Sequence, residues 1–548
     1  MKRTIGIIAP LIDRQKLYAD FNLRLRLNNR ELTLAAMYEF ASKGYVAENV
    51  SPGIYHEEEI PAAGYYLEGL LNQQGYETIL TNKYDSDTFK TLAERDPFAV
   101  LVSTTMIVTS DSLLELFTSI RKAMPDTHII VGGIFVWKNY LWYRNHLKTQ
   151  HHSPPESWML FHPDHADMDA DVLIVARHGK SSLLDVLAAL EKGRSASFEQ
   201  IPNLALPGDK GFSFTKRAEE PVDYNEDYTR WDLIHEIPAK FPLRTSIGCP
   251  YRCRFCDFYQ LFPHIFIRSE KSLSSELKLM KERLGPASAI IHVSDDNVFI
   301  NKKRIAEVCN AIAKSGFRKW ITFMRAGEYS ESELDLMEQS GLLMGIIGVE
   351  SGDPGQLDRM NKRQEIENVK RGIEQLDAHG ISTLLTFVVG FPGENQHTLE
   401  NTANFLNTLS LKNLLACYHM YPLLVEPLSE LANPSIRNKW KLEGYMDKWS
   451  HYTMNSEDAI VASYDLFREV NNVPYHYFEE SNFFNRAKFN LPTRKLLFQL
   501  RQQLTIKLIE NAPWEQIEPI LRSMAQKMNL SVERIGESLR HEISIPSI

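Results

Sequence analysis

Three thiols crowd into eight residues near the middle of this chain, in the run Cys249-Pro-Tyr-Arg-Cys253-Arg-Phe255-Cys256. Thiolates are soft ligands suited to iron–sulfur clusters or zinc, and a structural zinc site ordinarily recruits a fourth protein ligand. Three close cysteines with no obvious fourth can bind three irons of a cubane and leave one coordination position for a small molecule. The competing reading is a zinc turn completed by His264. Cys309 and Cys417 fall in a helical and a strand pattern, where a thiol serves as a small buried hydrophobe. Polar turns follow the cysteines at the ends of successive apolar runs: Ser294-Asp295-Asp296-Asn297, then Arg325, Glu350-Ser351-Gly352, and Gly390-Phe-Pro-Gly-Glu394. Carboxylate and amide oxygens accept N–H bonds, arginine meets carboxylates, and glycine admits close backbone approach. The same residues also read as a solvated turn with a helix cap at Asn301, a barrel salt bridge at Arg325, and a cap or salt bridge at Glu350.

Elements that would position these groups follow from periodicity. After Arg3, strand-sized apolar runs at Thr4 to Ala9, Thr78 to Leu80, Ala99 to Ser103, His128 to Gly132 and Asp171 to Ala176 alternate with helix-period segments. That alternation predicts an α/β, Rossmann-like domain over residues 1–217, whose ligand crevice lies beyond the carboxyl ends of the strands. Residues 218–242, rich in charge and proline, read as a linker. Six further strand and helix units predict most of a (β/α) barrel over 243–430, with candidate strands at 243–247, 289–293, 321–325, 344–349, 383–389 and 414–420. Beyond residue 430 the strands stop, and a mainly helical extension is expected over 431–548. The 548 residues exceed one core, and 43% hydrophobic content excludes a disordered chain. A charge of −9, from 61 basic and 70 acidic residues, makes nucleic acid an unlikely partner. Few cysteines and no bilayer-length apolar run point to a soluble, cytoplasmic protein without a membrane partner.

The cysteine run, with Phe255 before its last cysteine, resembles the signature of the radical S-adenosylmethionine (SAM) superfamily. The resemblance extends from about Leu243 to Pro422. It implies a [4Fe-4S] cluster on Cys249, Cys253 and Cys256, whose open iron chelates SAM and cleaves it to a 5′-deoxyadenosyl radical. It further implies that Asp295, Asp296 and Asn297 meet the SAM ammonium, Arg325 its carboxylate, and Glu350 with Ser351 the ribose. The strand through Val388, with the turn Gly390 to Glu394, would lie along the adenine.

A doubly wound domain upstream of such a barrel resembles the cobalamin-binding module of cobalamin-dependent radical SAM enzymes. Ser103, Thr104, Thr105, Gly132, Gly133 and Gly179 would then line the corrin and its nucleotide tail. The fold also suits a nucleotide site or a docking domain. The family's D-x-H-x-x-G motif is not properly present: Asp126-Thr-His128-Ile-Ile-Val131 lacks the glycine and enters a strand, so no histidine ligand to cobalamin is expected. The final turn is basic, Arg177-His178-Gly179-Lys180. His151, His152, His162 and His165 read as a mobile surface loop. Tyr475, Tyr477, Phe478, Phe483 and Phe484 read as a substrate lid or packed core. No cysteine precedes Cys249, which excludes the amino-terminal cluster of the tRNA methylthiotransferases. The expected function is methylation of an unactivated carbon or phosphorus centre in a small molecule or peptide, with an electron donor such as flavodoxin or ferredoxin. The alternatives are a radical cyclisation or rearrangement without methyl transfer, and a noncatalytic metal-stabilised docking protein.

Overall fold

A computed structural model describes residues 3–10, 23, 26–27, 30–31, 34, 60–146, 153–193, 198–238, 240–284, 290–476, 489–530 and 543–544. The first unit holds β1 (Thr4–Ile8), α1 (Ala62–Gln73), β2 (Glu77–Thr81), α2 (Ser86–Ala93), β3 (Ala99–Ser103), α3 (Ser110–Ala123), β4 (His128–Gly132), α4 (Ile134–His146), β5 (Val172–Ile174) and α5 (Lys180–Glu191). The antiparallel strands β6 (Leu204–Leu206) and β7 (Ser213–Phe214) then extend its edge. The sheet order is β2-β1-β3-β4-β5-β6-β7, so strand order reverses between β1 and β3, where open α/β sheets form their ligand crevice. The central strands are apolar on both faces because helices cover both: β3, Ala-Val-Leu-Val-Ser, is buried throughout.

The second unit holds six parallel strands: β8 (Lys240–Leu243), β9 (Ile290–Val293), β10 (Trp320–Met324), β11 (Leu342–Glu350), β12 (Ser382–Val389) and β13 (Ala416–Pro422). They follow one another in space in chain order, so β8 and β13 are its two edges. The intervening helices are α6 (Glu270–Leu284), α7 (Lys302–Ser315), α8 (Glu331–Gln339), α9 (Ile366–Ala378) and α10 (Gln396–Asn407). Local chemistry starts several of them. Asn301 accepts from the Arg304 amide at 3.0 Å to cap α7, and Ser330 with Glu333 forms a capping box on α8. Alternation assigns the faces: Val293 and Ile347 join the core under the helices, while Ile321, Met344, Ile346 and Leu384 form a separate cluster with Phe323 and Cys417.

Within 218–242 one described residue is packed between the two units. Trp231 is fully buried, its ring 5.6 Å from Tyr65 of α1 and 4.8 Å from Phe241 of β8, and its indole donates to Glu276 at 2.9 Å. One large side chain thus ties the two units, a contact that truncation to alanine would weaken by about 3–5 kcal/mol.

The tail departs from expectation in one respect. Strands do not stop at residue 430: Glu443–Tyr445 pairs with Lys448–Ser450, and Ile543–Ser544 pairs with Arg26–Leu27. Pairs of two or three residues are too short to carry a readable period. Besides the short helix Pro434–Trp440, the tail holds α11 (Ser456–Glu469), α12 (Leu491–Ile509) and α13 (Trp514–Lys527). The stretch 531–542 of the expected helical extension and the residues Tyr477, Phe478, Phe483 and Phe484 lie outside the described residues. So do His151 and His152; His165 is buried as the last residue of a 3-10 turn, Pro163–His165, rather than in a mobile loop. No helix among the described residues is long and apolar enough to cross a membrane.

Candidate functional site

The cysteine loop leaves the carboxyl end of β8 and is anchored from below. The Asp295 carboxylate, 1% exposed, accepts from the Thr245 amide at 2.6 Å and from the Thr245 and Ser246 hydroxyls. Asp295 therefore shapes the loop and has no surface for a ligand, contrary to its assignment from sequence. Its neighbour differs. Asp296 accepts from the Gly248 amide at 3.1 Å, and burial pushes its carboxyl up to about 6 against the pull of Arg244. Asn297 is 2% exposed, and both atoms of its amide lack a hydrogen-bond partner among the described residues. An orphaned buried amide beside a carboxylate fits a polar ligand that supplies both donors and acceptors.

Asp296 and Arg325 both act electrostatically on the Cys249 thiol, which places them at the cysteine loop. The Arg325 guanidinium stacks 3.8 Å from the ring of Tyr251, inside the cysteine run, and donates to the Lys362 and Arg363 carbonyls. Tyr251 is a partner that spacing alone does not reveal. Cys253 is buried, Cys249 and Cys256 are half-buried, and none is in a disulfide. Burial raises the Cys249 and Cys256 thiols, with Asp257 adding to the second, so a cation must displace their protons to bind. The Phe258 amide donates to Cys256 Sγ at 3.4 Å.

Among the described residues the three sulfurs do not all lie within 4.8 Å of one another. Bonds of about 2.3 Å to one tetrahedral zinc would put them about 3.8 Å apart. The thiols are thus not gathered about a single-zinc position, and His264 is exposed. The three described groups that do gather, Glu156, His162 and Asp164, lie apart from the cysteines in the first domain.

Other expected contacts are satisfied within the chain. Glu350 adopts a left-handed φ of 69° at a register shift of β11, and its Oε1 lies 2.7 Å from Lys362 Nζ in a buried ion pair. Between a cap and a salt bridge, the salt bridge is what forms. Ser351 is 1% exposed and bonds to Thr402 and the Asp353 amide, a structural role in place of the expected ribose contact. Val388 is half-buried on β12. Gly390 has φ 95°, and a Cβ there would meet the Trp449 ring at 2.6 Å. Its amide donates to Glu394, whose buried carboxyl rises to about 7. Glu394 thus closes its own turn rather than reaching a ligand. That turn reaches the cluster loop through Phe391, whose ring lies 6.5 Å edge-on to Phe255.

In the first domain, Thr104 is fully buried, its hydroxyl donating to the Gly132 carbonyl at 2.9 Å. It holds β3 to β4 instead of lining a pocket. Gly133, at φ 116°, packs where a Cβ would sit 2.9 Å from the Thr104 amide. Ser103 and Thr105 hydroxyls pair at 3.2 Å, with Thr105 half-buried. Gly179 caps α5 with φ 68°, but the basic turn around it is occupied: Lys180 pairs with Asp227 at 2.5 Å and Tyr224 bonds to His178 at 2.8 Å.

Sequence reasoning missed a residue that joins the two ligand-end regions. Lys138 of α4 lies 2.7 Å from both Asp257, next after Cys256, and Glu426. A lone lysine inside Ile134-Phe-Val-Trp-Lys138-Asn-Tyr-Leu-Trp142 was the available signal, because such a charge is buried only when paired.

Comparison with known proteins agrees with this geometry. Residues 243–406 match the family model described as the radical SAM superfamily. An anaerobic magnesium-protoporphyrin IX monomethyl ester cyclase of Rubrivivax gelatinosus is 26% identical over 365 residues, 62% of this chain and 61% of that protein. A hopanoid C-3 methylase of Methylococcus capsulatus is 21% identical over 316 residues, 55% of each. The chain therefore spans less than two thirds of the length of these curated relatives. Among solved structures, the radical SAM methyltransferase TsrM of Kitasatospora setae, with cobalamin and a [4Fe-4S] cluster, superposes with TM-score 0.54 at 15% identity, covering 79% of this chain and 74% of that one. OxsB, a cobalamin-dependent SAM radical enzyme, gives TM-score 0.57 at 13% identity over 98% of this chain and 77% of its own. These two share its fold. With the three-thiol loop, the six-stranded parallel sheet and the matched segment coinciding, residues 243–406 of this chain form a radical SAM domain.

Proposed function

We propose that this chain is a cobalamin-dependent radical SAM methyltransferase acting on an unactivated carbon or phosphorus centre of a small molecule or peptide, supplied with electrons by a flavodoxin or ferredoxin. Bound together, the cluster, SAM and cobalamin would supply radical generation and a transferable methyl group. Cys249, Cys253 and Cys256 would hold the cluster; Asp296 and Asn297 offer acceptors and a donor for the SAM amino acid moiety, and Arg325 a cation for its carboxylate. Ser103, Thr105 and Gly133 would border the crevice in which cobalamin would lie.

The observation that carries the reading is the meeting of the two sheets' carboxyl ends. The helix that starts after Gly133 touches the residue after Cys256, so the carboxyl ends of the two sheets face each other. A second reading, radical cyclisation, is favoured by the 26% identical cyclase. Anaerobic purification after cobalamin-supplemented expression, with optical and paramagnetic spectra, tests both cofactors. With substrate and methyl-labelled SAM, product gaining one labelled methyl supports methyl transfer. Product without added mass supports cyclisation. Failure to bind cobalamin overturns the two-cofactor reading.

A further inference from the structure

Lys138, Asp257 and Glu426 are only 11% to 19% exposed, and they come from three separate parts of the chain. Phe135, Val136 and Trp137 are buried in the first domain's own core. The lysine leaves that core and crosses to the barrel. Asp257 belongs to the loop after β8, and Glu426 to the segment after β13. Those strands are the two edges of the six-stranded sheet, which have no ladder between them. One cation from the first domain therefore pins loops from both edges across the mouth of the open seam.

A second stitch lies beside it. Arg254 Nε donates to Glu430 Oε1 at 3.0 Å, and the Arg254 carbonyl accepts from the Leu431 amide at 3.3 Å. Arg254 belongs to the cysteine run, so both stitches grip the cluster loop. In the Lys138 group two carboxylates share one ammonium, which leaves a net negative charge beside Cys256. Removing the cation would set two carboxylates against each other in a poorly solvated space, where the repulsion is strong. The potential of an iron–sulfur cluster responds to nearby charge and to hydrogen bonds on its sulfurs.

We propose that Lys138 is a positioning residue that locks the first domain across the barrel's seam and, through Asp257, fixes the place and electrostatic surroundings of the Cys256 sulfur. The inference rests on the assignment of the cluster to the three cysteines and is independent of cobalamin.

The test uses the full chain reconstituted anaerobically with iron and sulfide, comparing wild type with Lys138→Met, Lys138→Arg, the triple variant K138M/D257N/E426Q, and Lys180→Met. The last removes the Lys180–Asp227 pair, which shares no residue with the cysteine run or the Lys138 group, and serves as a control. Midpoint potential, the paramagnetic spectrum of the reduced cluster and the thermal midpoint are read for each. Lys138→Met is expected to lower the cluster potential and change its spectrum, and Lys138→Arg to restore both toward wild type. The triple variant, which removes a net negative charge, is expected to raise the potential. Lys180→Met is expected to lower the thermal midpoint alone.

A Lys138→Met protein with lowered thermal midpoint but wild-type potential and spectrum would reduce the residue to a structural one and overturn the proposal. An equal potential shift in Lys180→Met would do the same. If Lys138→Met does not fold, a cluster-loaded triple variant with wild-type potential overturns it. A wild-type chain that takes up no cluster overturns this proposal and the functional reading together. One that loads the cluster but binds no hydroxocobalamin in an optical titration overturns the cobalamin reading alone, and the Lys138 comparison stands.

Discussion

The rim of the barrel and the crevice of the first domain use similar residue types to different ends. At the rim, Asp296 and the orphaned Asn297 amide lie beside three free thiols with polar capacity to spare. In the crevice, Thr104 and Gly133 are absorbed in holding β3 against β4. Even within one turn the contrast holds: Asp295 is saturated by Thr245 and Ser246, while Asp296 next to it is held by one backbone amide. A polar residue at a strand end is thus no evidence of a ligand until its hydrogen bonds are counted.

The largest expected effect comes from breaking the rim itself. Cys253→Ala should abolish cluster loading on reconstitution, read as iron per chain, and full iron content would reject the ligand assignment. In the crevice, Gly133→Ala forces a Cβ onto the Thr104 amide at a left-handed φ, which should cost on the order of 3 kcal/mol in chemical denaturation. A variant as stable as wild type would show that the crevice yields more than its packing implies.

The sharpest comparison is between the adjacent aspartates. Asp295→Asn should lower stability by about 1–3 kcal/mol, because it disturbs a buried, fully bonded carboxylate. Asp296→Asn should leave the thermal midpoint nearly unchanged and weaken SAM binding by about tenfold, the equivalent of one lost charge-assisted bond. Interchanged phenotypes would reverse the roles assigned to this pair.

Glu394 gives a pH signature. Its carboxyl is raised from 4.5 to about 7 by burial, so the folded state holds a proton that the unfolded state releases. The stability this provides is full below about pH 4.5 and is lost as pH rises through 7. Glu394→Gln should flatten that part of the curve in denaturation at pH 5 and pH 8; an unchanged slope would remove the carboxylate from the account. The smallest effect is expected for Cys309→Ala, about 1 kcal/mol from a small cavity in α7 with cluster content intact.

Much of the framework was legible because buried parallel strands advertise themselves as apolar runs. The expected strand at 383–389 and the observed β12 at 382–389 differ by one residue, and the cap foreseen at Asn301 does cap α7. The Glu443–Tyr445 hairpin left no such trace, being too short for a period. Glu350 and Ser351 stand at a strand end, where position alone suggests a ligand contact, but Lys362 and Thr402, which bond to them, arrive from elsewhere in the chain.

The chain's order of residues by itself determined the three-thiol loop, the alternation that builds two parallel sheets, and the glycines that permit left-handed turns, since all of these depend on neighbours in sequence. Tertiary structure alone decided which strand-end groups remain available to a ligand, and that Lys138 reaches Asp257 and Glu426 across the seam. The reason is physical: backbone conformation is set largely by local sterics and periodic burial, whereas a polar group's satisfaction depends on partners that only folding brings within 3 Å or so.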